Sequence, residues 1–440
     1  MQNTRRYLSK DLKIAIIGAG ISGLTAAHTL KKFGYNNVTI FESGAEAGGK
    51  IHTLEMDGYL YELGAIFVPD KADTIRSLAK DYNITLTKQL KKVFFCRDGK
   101  QISMIKNMRK DAGILKIIKA LLHLPGAAVK IIKYLKGIEN PGLAEVDPET
   151  YINFKKFLDD NKIGVYAGTF EPLSFTYCYG YLDTTPTLYF LKLIRIGLPF
   201  IIKDILNSSL GFRFRILPMF DRGYQNLLTE MAKKFNVRYK SRVTDVTRKG
   251  KGDGVKIRVT ADKETETYDR IIISSMPGQT MKYLDMTKEE KNLLSKTKTY
   301  AYHQFVFRGD FKLKGSGVVF DGSYHGRNKG FPSALSNFHK ENNIYQTYQM
   351  HDGTLSEEEL KERLIEMADI MGGKITEIML SKNITYFPHY TEEVLAELEP
   401  FKKFEAMQGE NGTYYIGSLF NMEGSNWSSE YAEAMIKKYF

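Results

Sequence analysis

Leu12-Lys-Ile-Ala-Ile-Ile-Gly-Ala-Gly-Ile-Ser-Gly23 is the stretch that decides the fold. Residues 12–17 form a short β-branched, apolar run, the pattern of a buried parallel strand. Gly18, Gly20 and Gly23 follow at once. A helical pattern then runs from about Ser22 to Lys32, with Lys31 and Lys32 in its last turn and Gly34 just beyond. Cations and a glycine belong at a helix C-terminus. Asn37 to Phe41 reads as a second strand, closed by Glu42. This is one βαβ unit of about thirty residues. In such a unit Gly18 permits the tight turn and Gly20 lets a pyrophosphate approach the backbone. Gly23 lets helix and strand pack closely, and Ile21 and Ser22 open a helix whose free N–H groups favour an anion. Glu42 lies 22 positions after Gly20, suited to a ribose diol, and its charge argues against a 2′-phosphate. The competing reading is a structural glycine turn beside a surface glutamate.

The rest of the chain is consistent with an ordinary globular protein. It has 440 residues, 43% hydrophobic and 26% charged, which suggests two or three structural units and rules out a long disordered chain. Two cysteines, Cys96 and Cys178, rule out a disulfide scaffold and a four-cysteine zinc site, and no metal is expected. Lys and Arg total 63 against 51 Asp and Glu, so the net charge is +12. A basic surface suggests an anionic partner: nucleic acid, acidic lipid or small anions. No run of eighteen uncharged apolar residues occurs, so no transmembrane helix is expected. Arg5, Arg6 and Lys10 precede an apolar stretch, but its glycine spacing makes it fold rather than targeting signal, and a cytoplasmic location is expected.

Residues 104–137 are helical, basic and apolar. Val237 to Val246 and Val255 to Thr260 look like hairpin strands, joined by a glycine-rich turn at 249–254. Tyr268 to Pro277 is a strand ending at proline, Ser356 to Met371 has helical spacing, and Thr413 to Gly417 is a short strand before a terminal helix from Ser428 to Phe440. Sheet segments of the nucleotide-binding kind recur at the beginning, middle and end. The expected architecture is therefore α/β with a discontinuous nucleotide-binding domain over 11–100, 215–290 and 395–440. A helical insertion covers 101–214, and a substrate domain with a mixed sheet and helix covers 291–394.

Further segments point to one family. Ser43 precedes Ala47-Gly48-Gly49-Lys50, a second loop for phosphate approach, and Glu62-Leu63-Gly64-Ala65-Ile66 follows. In this order they resemble the flavin-dependent amine oxidase superfamily, with Lys50 in place of the usual arginine, so the charge is kept but the bidentate fork is lost. Gly223 to Leu227 with Arg242-Val243, the strand ending Met276-Pro277, the turn Ile416-Gly417 and the helix start at Trp427 match the same family. The resemblance implies a split Rossmann-type domain and FAD as cofactor, with Val243 at the adenine and Gly64, Ala65 and Ile66 near the flavin ring. Met276, Gly417 and Ser418 are also assigned to the cofactor. The family usually carries an acid close to that last glycine; here Ser418-Leu419-Phe420 stand there.

Within the superfamily the polyenoic fatty acid isomerase group fits best. The matching residues are Gly64-Ala-Ile, Asp73-Thr-Ile75, Tyr179-Gly-Tyr-Leu-Asp183, Pro186, Tyr189, Leu191, Lys192, Phe387-Pro-His389 and Met407-Gln-Gly409. That group implies hydride transfer from a bis-allylic carbon of a fatty acid to flavin N5, and return of the hydride at another carbon. No strong protein base is needed. It also implies a basic anchor for the carboxylate, carried to Lys92 with Lys91 as the near alternative; two solvated lysines at a strand edge are the competing reading. Tyr177, Tyr179, Ile196 and Phe200 are candidates for lining an acyl tunnel, against a role in the core. Tyr386, Phe387 and Trp427 are placed near the substrate. No lysine lies within Tyr302 to Phe307, where amine oxidases carry one. His303 and His389 read as structural.

Residues 106–136 hold eight basic side chains against one acid, Asp111, interleaved with isoleucine and leucine. They suit peripheral contact with an anionic membrane, or a solvated face over a buried one. No nucleic-acid motif accompanies the charge. The leading function is double-bond isomerisation of a polyunsaturated fatty acid. Net oxidation, as an amine oxidase or desaturase, is the rival, and a non-enzymatic lipid or protein binder on the same fold is the third reading.

Overall fold

The structure is a computed structural model that describes residues 8–195, 215–250, 254–339 and 341–440. Ile14–Ile17 is the central strand of a five-stranded sheet. On one side lie Val38–Phe41 and the edge strand Asn236–Arg238; on the other lie Arg270–Ile273 and Thr413–Tyr415. Every neighbouring pair is parallel. Both faces are covered, which is why Ile14, Ala15 and Ile16 read as an unbroken apolar run and are fully buried. The sheet thus gathers strands from the start, middle and end of the chain.

The first helix, Ile21–Lys32, begins one residue ahead of the expected Ser22, with Gly20 as its cap. It packs against the C-terminal helix Ser425–Tyr439 and leaves little of its surface exposed, so Ala26 and Ala27 are fully buried. A Cβ on Gly23 would stand 2.0 Å from the Gly18 carbonyl oxygen. No side chain fits there, and the helix meets the strand backbone directly.

The stretch expected as one strand over 237–246 is two. Asn236–Arg238 edges the parallel sheet, and Val243–Lys249 pairs antiparallel with Lys256–Ala261. Lys240 breaks the run in a left-handed conformation, φ 54°, while its N–H donates to the Gly44 carbonyl and Ser241 N–H donates to that of Glu42. The hairpin is tied to the helix Lys288–Ser295 and the segment before it by Arg248, buried and forked onto Glu290 at 2.8 Å and Asp285 at 2.7 Å, and to the sheet through Thr413 Oγ1 at 3.1 Å. Burial opposes ionisation of Glu290, but the Arg248 guanidinium outweighs it and holds the carboxyl down to about 2.

A second, seven-stranded sheet has the order Lys374–His389, Lys298–Asp310, Ile344–His351, Pro332–Ser336, Gly317–Phe320, Val93–Arg97, Lys100–Ile102. Its pairs are antiparallel except Gly317–Phe320 with Val93–Arg97. Val93–Arg97 lies inside the range 11–100 read as nucleotide-binding, yet it extends this sheet because Phe94 and Cys96 bury in a core with Phe305, Val318 and Phe320. Beyond it come helices Met104–Ala112 and Ile114–Ile138, which meet at Gly113 with a bend of 102°.

Candidate functional site

One cavity of about 1460 Å³ joins the two sheets and the helical region. At its nucleotide-binding part it is lined by Gly18, Gly20, Ile21 and Ser22, by Glu42 and Ser43, and by Gly48, Gly49 and Lys50. The two glycine loops are held face to face: Gly20 and Gly48 form a parallel bridge, and a Cβ on Gly49 would stand 3.3 Å from the Gly20 Cα. The Glu42 carboxylate accepts Ala19 N–H at 2.9 Å and Gly44 N–H at 2.7 Å, so it fixes the ends of both loops at the cavity edge. The first helix has no acid in its first turn, leaving its N-terminal dipole open to an anion. A side-chain-free cradle, a helix N-terminus and a carboxylate beyond the second strand suit the phosphates and ribose of a dinucleotide.

Gly64, Ala65, Ile66, Met276, Gly417, Ser418 and Trp427 line the same cavity. Trp427 is buried, and among the described residues its indole N–H has no partner. Gly23 and Val243 do not line the cavity. Gly23 serves the helix–strand contact, and Val243 starts the hairpin two residues after Ser241, whose N–H holds Glu42.

Lys50 reaches across the cavity wall. Its ammonium forms an ion pair with the buried Glu423 and stands 3.5 Å from Ser418 Oγ and 3.4 Å from Met276 Sδ. It also lies 5.2 Å from the centre of the Tyr386 ring. Glu423 has two further ties: its carboxylate accepts Phe387 N–H at 3.1 Å and its carbonyl accepts the Tyr179 hydroxyl at 2.8 Å. Phe387 is a fully buried residue with φ 49°, a left-handed conformation unusual for phenylalanine, and it packs on Tyr179 and Tyr189 rather than lining the cavity.

The wall beside this cluster is aromatic. Tyr177 stacks on Tyr179, Tyr386 leans on Tyr179 and Tyr302, and Tyr302 stacks on Tyr348; all five line the cavity. Burial pushes the phenols of Tyr179, Tyr302, Tyr348 and Tyr386 well up, so they stay neutral. Burial also pushes the Cys178 thiol up and the imidazoles of His303 and His389 down to about 4. Glu42 and Glu423 are the only carboxylates on the described wall, and both are engaged in hydrogen bonds. Among the described residues, then, no free general base faces the cavity.

The remaining wall is apolar, supplied largely by Ile114, Ile117, Leu121, Leu124, Ile131 and Leu135 of the long basic helix. The described wall carries only two cations, Lys50 and Arg109. Arg109 stands on the preceding helix, solvent-exposed, and has no ion pair among the described residues. Lys92, the expected anchor, is not on the wall; its ammonium lies 4.9 Å from the centre of the Phe94 ring. The side chain of Lys91 lies outside the described part, as do Ile196 and Phe200.

Sequence reasoning missed Glu423, Arg109, Tyr302 and Tyr348. Ser418-Leu419-Phe420 hold no acid, and Glu423, three residues later and ahead of Trp427, is the carboxylate that the cavity wall presents there. Arg109 was visible only as one member of a charge run.

Residues 21–378 match the family model described as flavin containing amine oxidoreductase. An L-amino acid oxidase of Lachesis muta is 32% identical over 126 residues, 28% of this chain and 23% of that protein. A 1-hydroxycarotenoid 3,4-desaturase of Flavobacterium sp. (strain P99-3) is 42% identical over 92 residues, 20% of this chain and 19% of that protein. The matches thus span about a fifth of the length of these curated relatives. Among solved structures, the CLA-producing fatty acid isomerase from P. acnes superposes with a TM-score of 0.84 at 23% identity, covering 98% of this chain and 100% of that one.

Proposed function

The chain belongs to the flavin-containing amine oxidoreductase family and takes FAD, and we propose that it isomerises the double bonds of a polyunsaturated fatty acid. The observation that carries this reading is the single cavity that runs from the glycine cradle into an apolar, aromatic compartment without a free general base. Gly20, Gly49 and the helix N-terminus would hold the pyrophosphate, and Glu42 a ribose. When bound, the flavin supplies hydride acceptance and return.

The protein's own tasks are then positional. Tyr177, Tyr179, Tyr302, Tyr348 and Tyr386 offer flat, neutral surfaces that confine an acyl chain without competing for protons. The aliphatic face of Ile114–Ile138 accommodates the rest of the chain and keeps water away from a developing carbocation. Arg109 replaces Lys92 as the proposed carboxylate anchor, because it is on the wall and its five donors are uncommitted among the described residues. Lys50 is held by Glu423 and serves the cofactor loops.

Net oxidation is the second reading, favoured by the 42% identity to a carotenoid desaturase over 92 residues. Anaerobic incubation of the FAD-loaded protein with a methylene-interrupted dienoic acid separates the two. Conjugated product accumulating over many turnovers supports isomerisation; a single flavin reduction with no conjugated acid supports oxidation.

A further inference from the structure

The outer face of the helix Ile114–Ile138 is apolar although it meets solvent. Leu115 is 73% exposed, Leu122 76% and Val129 68%, and Ile118 completes the row. These positions recur at steps of three, four or seven, so they form one stripe along the helix. The opposite face, through Ile117, Leu124, Ile131 and Leu135, lines the cavity. The helix is thus a single layer between the cavity and the outside. Soluble monomers rarely expose an apolar row of this length without a partner.

The charges beside the row indicate which partner. Lys116, Lys119 and Lys130 flank it, and Lys106 and Lys110 continue the basic character onto the preceding helix. Among the described residues none of these five has an ion pair, whereas Lys133 pairs with Asp147 and Glu149, and Asp111 is engaged by Arg97. An apolar stripe edged by uncommitted lysines matches the boundary of an anionic bilayer, with acyl chains beneath and phosphates at the rim. No described helix is by itself long and apolar enough to cross a membrane, and the helix pair is bent by 102° at Gly113. Together the two helices have the length and composition of a broken span, but the inner face of the second lines the cavity, so only its outer row is offered to lipid.

We propose that the face carrying Leu115, Ile118, Leu122 and Val129 docks on an anionic lipid bilayer and brings the cavity wall against the membrane. The inference rests on exposure and charge, and it stands whichever reaction the cavity performs. A substrate of membrane origin would then enter beside this helix, near Arg109, without crossing bulk water.

The test is flotation of the full-length, FAD-loaded protein with phosphatidylcholine vesicles, with and without phosphatidylglycerol. The protein should float with the anionic vesicles and be released as salt rises. Leu115→Ser/Leu122→Ser should lower partitioning by at least about tenfold, and Lys116→Glu/Lys119→Glu should remove the preference for anionic lipid. None of these four residues lines the cavity, so melting temperature and turnover of dispersed substrate, measured without vesicles, should not change. Failure of the wild-type protein to float, or equal flotation of all variants, overturns the proposal. So does a dimer in sedimentation that Leu115→Ser/Leu122→Ser dissociates, which would assign the face to a second copy of this chain. The turnover assay reads the reaction separately, so loss of docking and loss of the catalytic reading are distinguishable.

Discussion

The Lys50 ammonium and the Glu423 carboxylate, 373 residues apart in the chain, form an ion pair on the cavity wall and tie the second glycine loop to the turn before the last helix. Glu423 is 5% exposed and Lys50 28%, so removing the lysine leaves a charge in a poorly solvated place. Lys50→Met should destabilise the fold by roughly 3 kcal/mol, and Glu423→Ala by a similar amount, since it also strands Phe387 N–H. The double variant Lys50→Met/Glu423→Ala should cost less than the sum of its parts, with a coupling of about 1–2 kcal/mol in urea unfolding. Additive losses would mean that the pair does not couple the two segments.

Cofactor retention tests the cradle. Gly20→Val places a branched side chain between the glycine loops, and the purified protein should lose its flavin absorbance. Glu42→Ala removes the acceptor of Ala19 and Gly44 N–H, and FAD affinity should fall by about tenfold to a hundredfold in a fluorescence titration. A Glu42→Ala protein that binds FAD as tightly as the wild type would take the ribose contact away from Glu42.

Much of this cradle was legible in the sequence, because a βαβ unit ties glycine spacing to backbone geometry over a short stretch. Gly18, Gly20, Ile21, Ser22, Glu42, Ser43, Gly49 and Lys50 all line one cavity. The parallel sheet was legible for the same reason: a strand buried on both faces must be apolar throughout. The aromatic wall was less so. Tyr302 and Tyr348 meet through the pairing of strands 298–310 and 344–351, a register that no local pattern announces. Lys92 lies off the cavity wall for a different reason. Its neighbours mark a strand and its ammonium lies over the ring of Phe94, but which side chains of that strand reach the cavity is set by how the sheet packs.

Arg109 is predicted to select carboxylates. Arg109→Ala should raise KM for a fatty acid by about tenfold and leave kcat little changed, because the contact is equal in ground and transition states. A methyl ester should show no such penalty with the variant. Lys92→Ala should leave KM unchanged; a larger effect at Lys92 than at Arg109 would restore the lysine as anchor.

The Arg248–Glu290 fork predicts an acid-sensitive fold. The Glu290 carboxyl sits at about 2 in the folded protein against 4.5 as its ordinary value. A depressed carboxyl stabilises the fold fully above its unfolded value, and this contribution is lost as pH falls from about 4.5 towards 2. The amount is on the order of 3 kcal/mol. Glu290→Gln should therefore flatten the pH dependence of stability over that window in urea unfolding. An unchanged slope would show that other carboxyls carry the acid response.

The central claim is that the cavity returns the hydride it takes. The most direct measurement is anaerobic turnover of a dienoic acid deuterated at its bis-allylic carbon, with no electron acceptor present. The account predicts many turnovers to a conjugated acid that has kept its deuterium at a new carbon. One flavin reduction per protein, with the deuterium lost from the acid and no conjugated product, would contradict it.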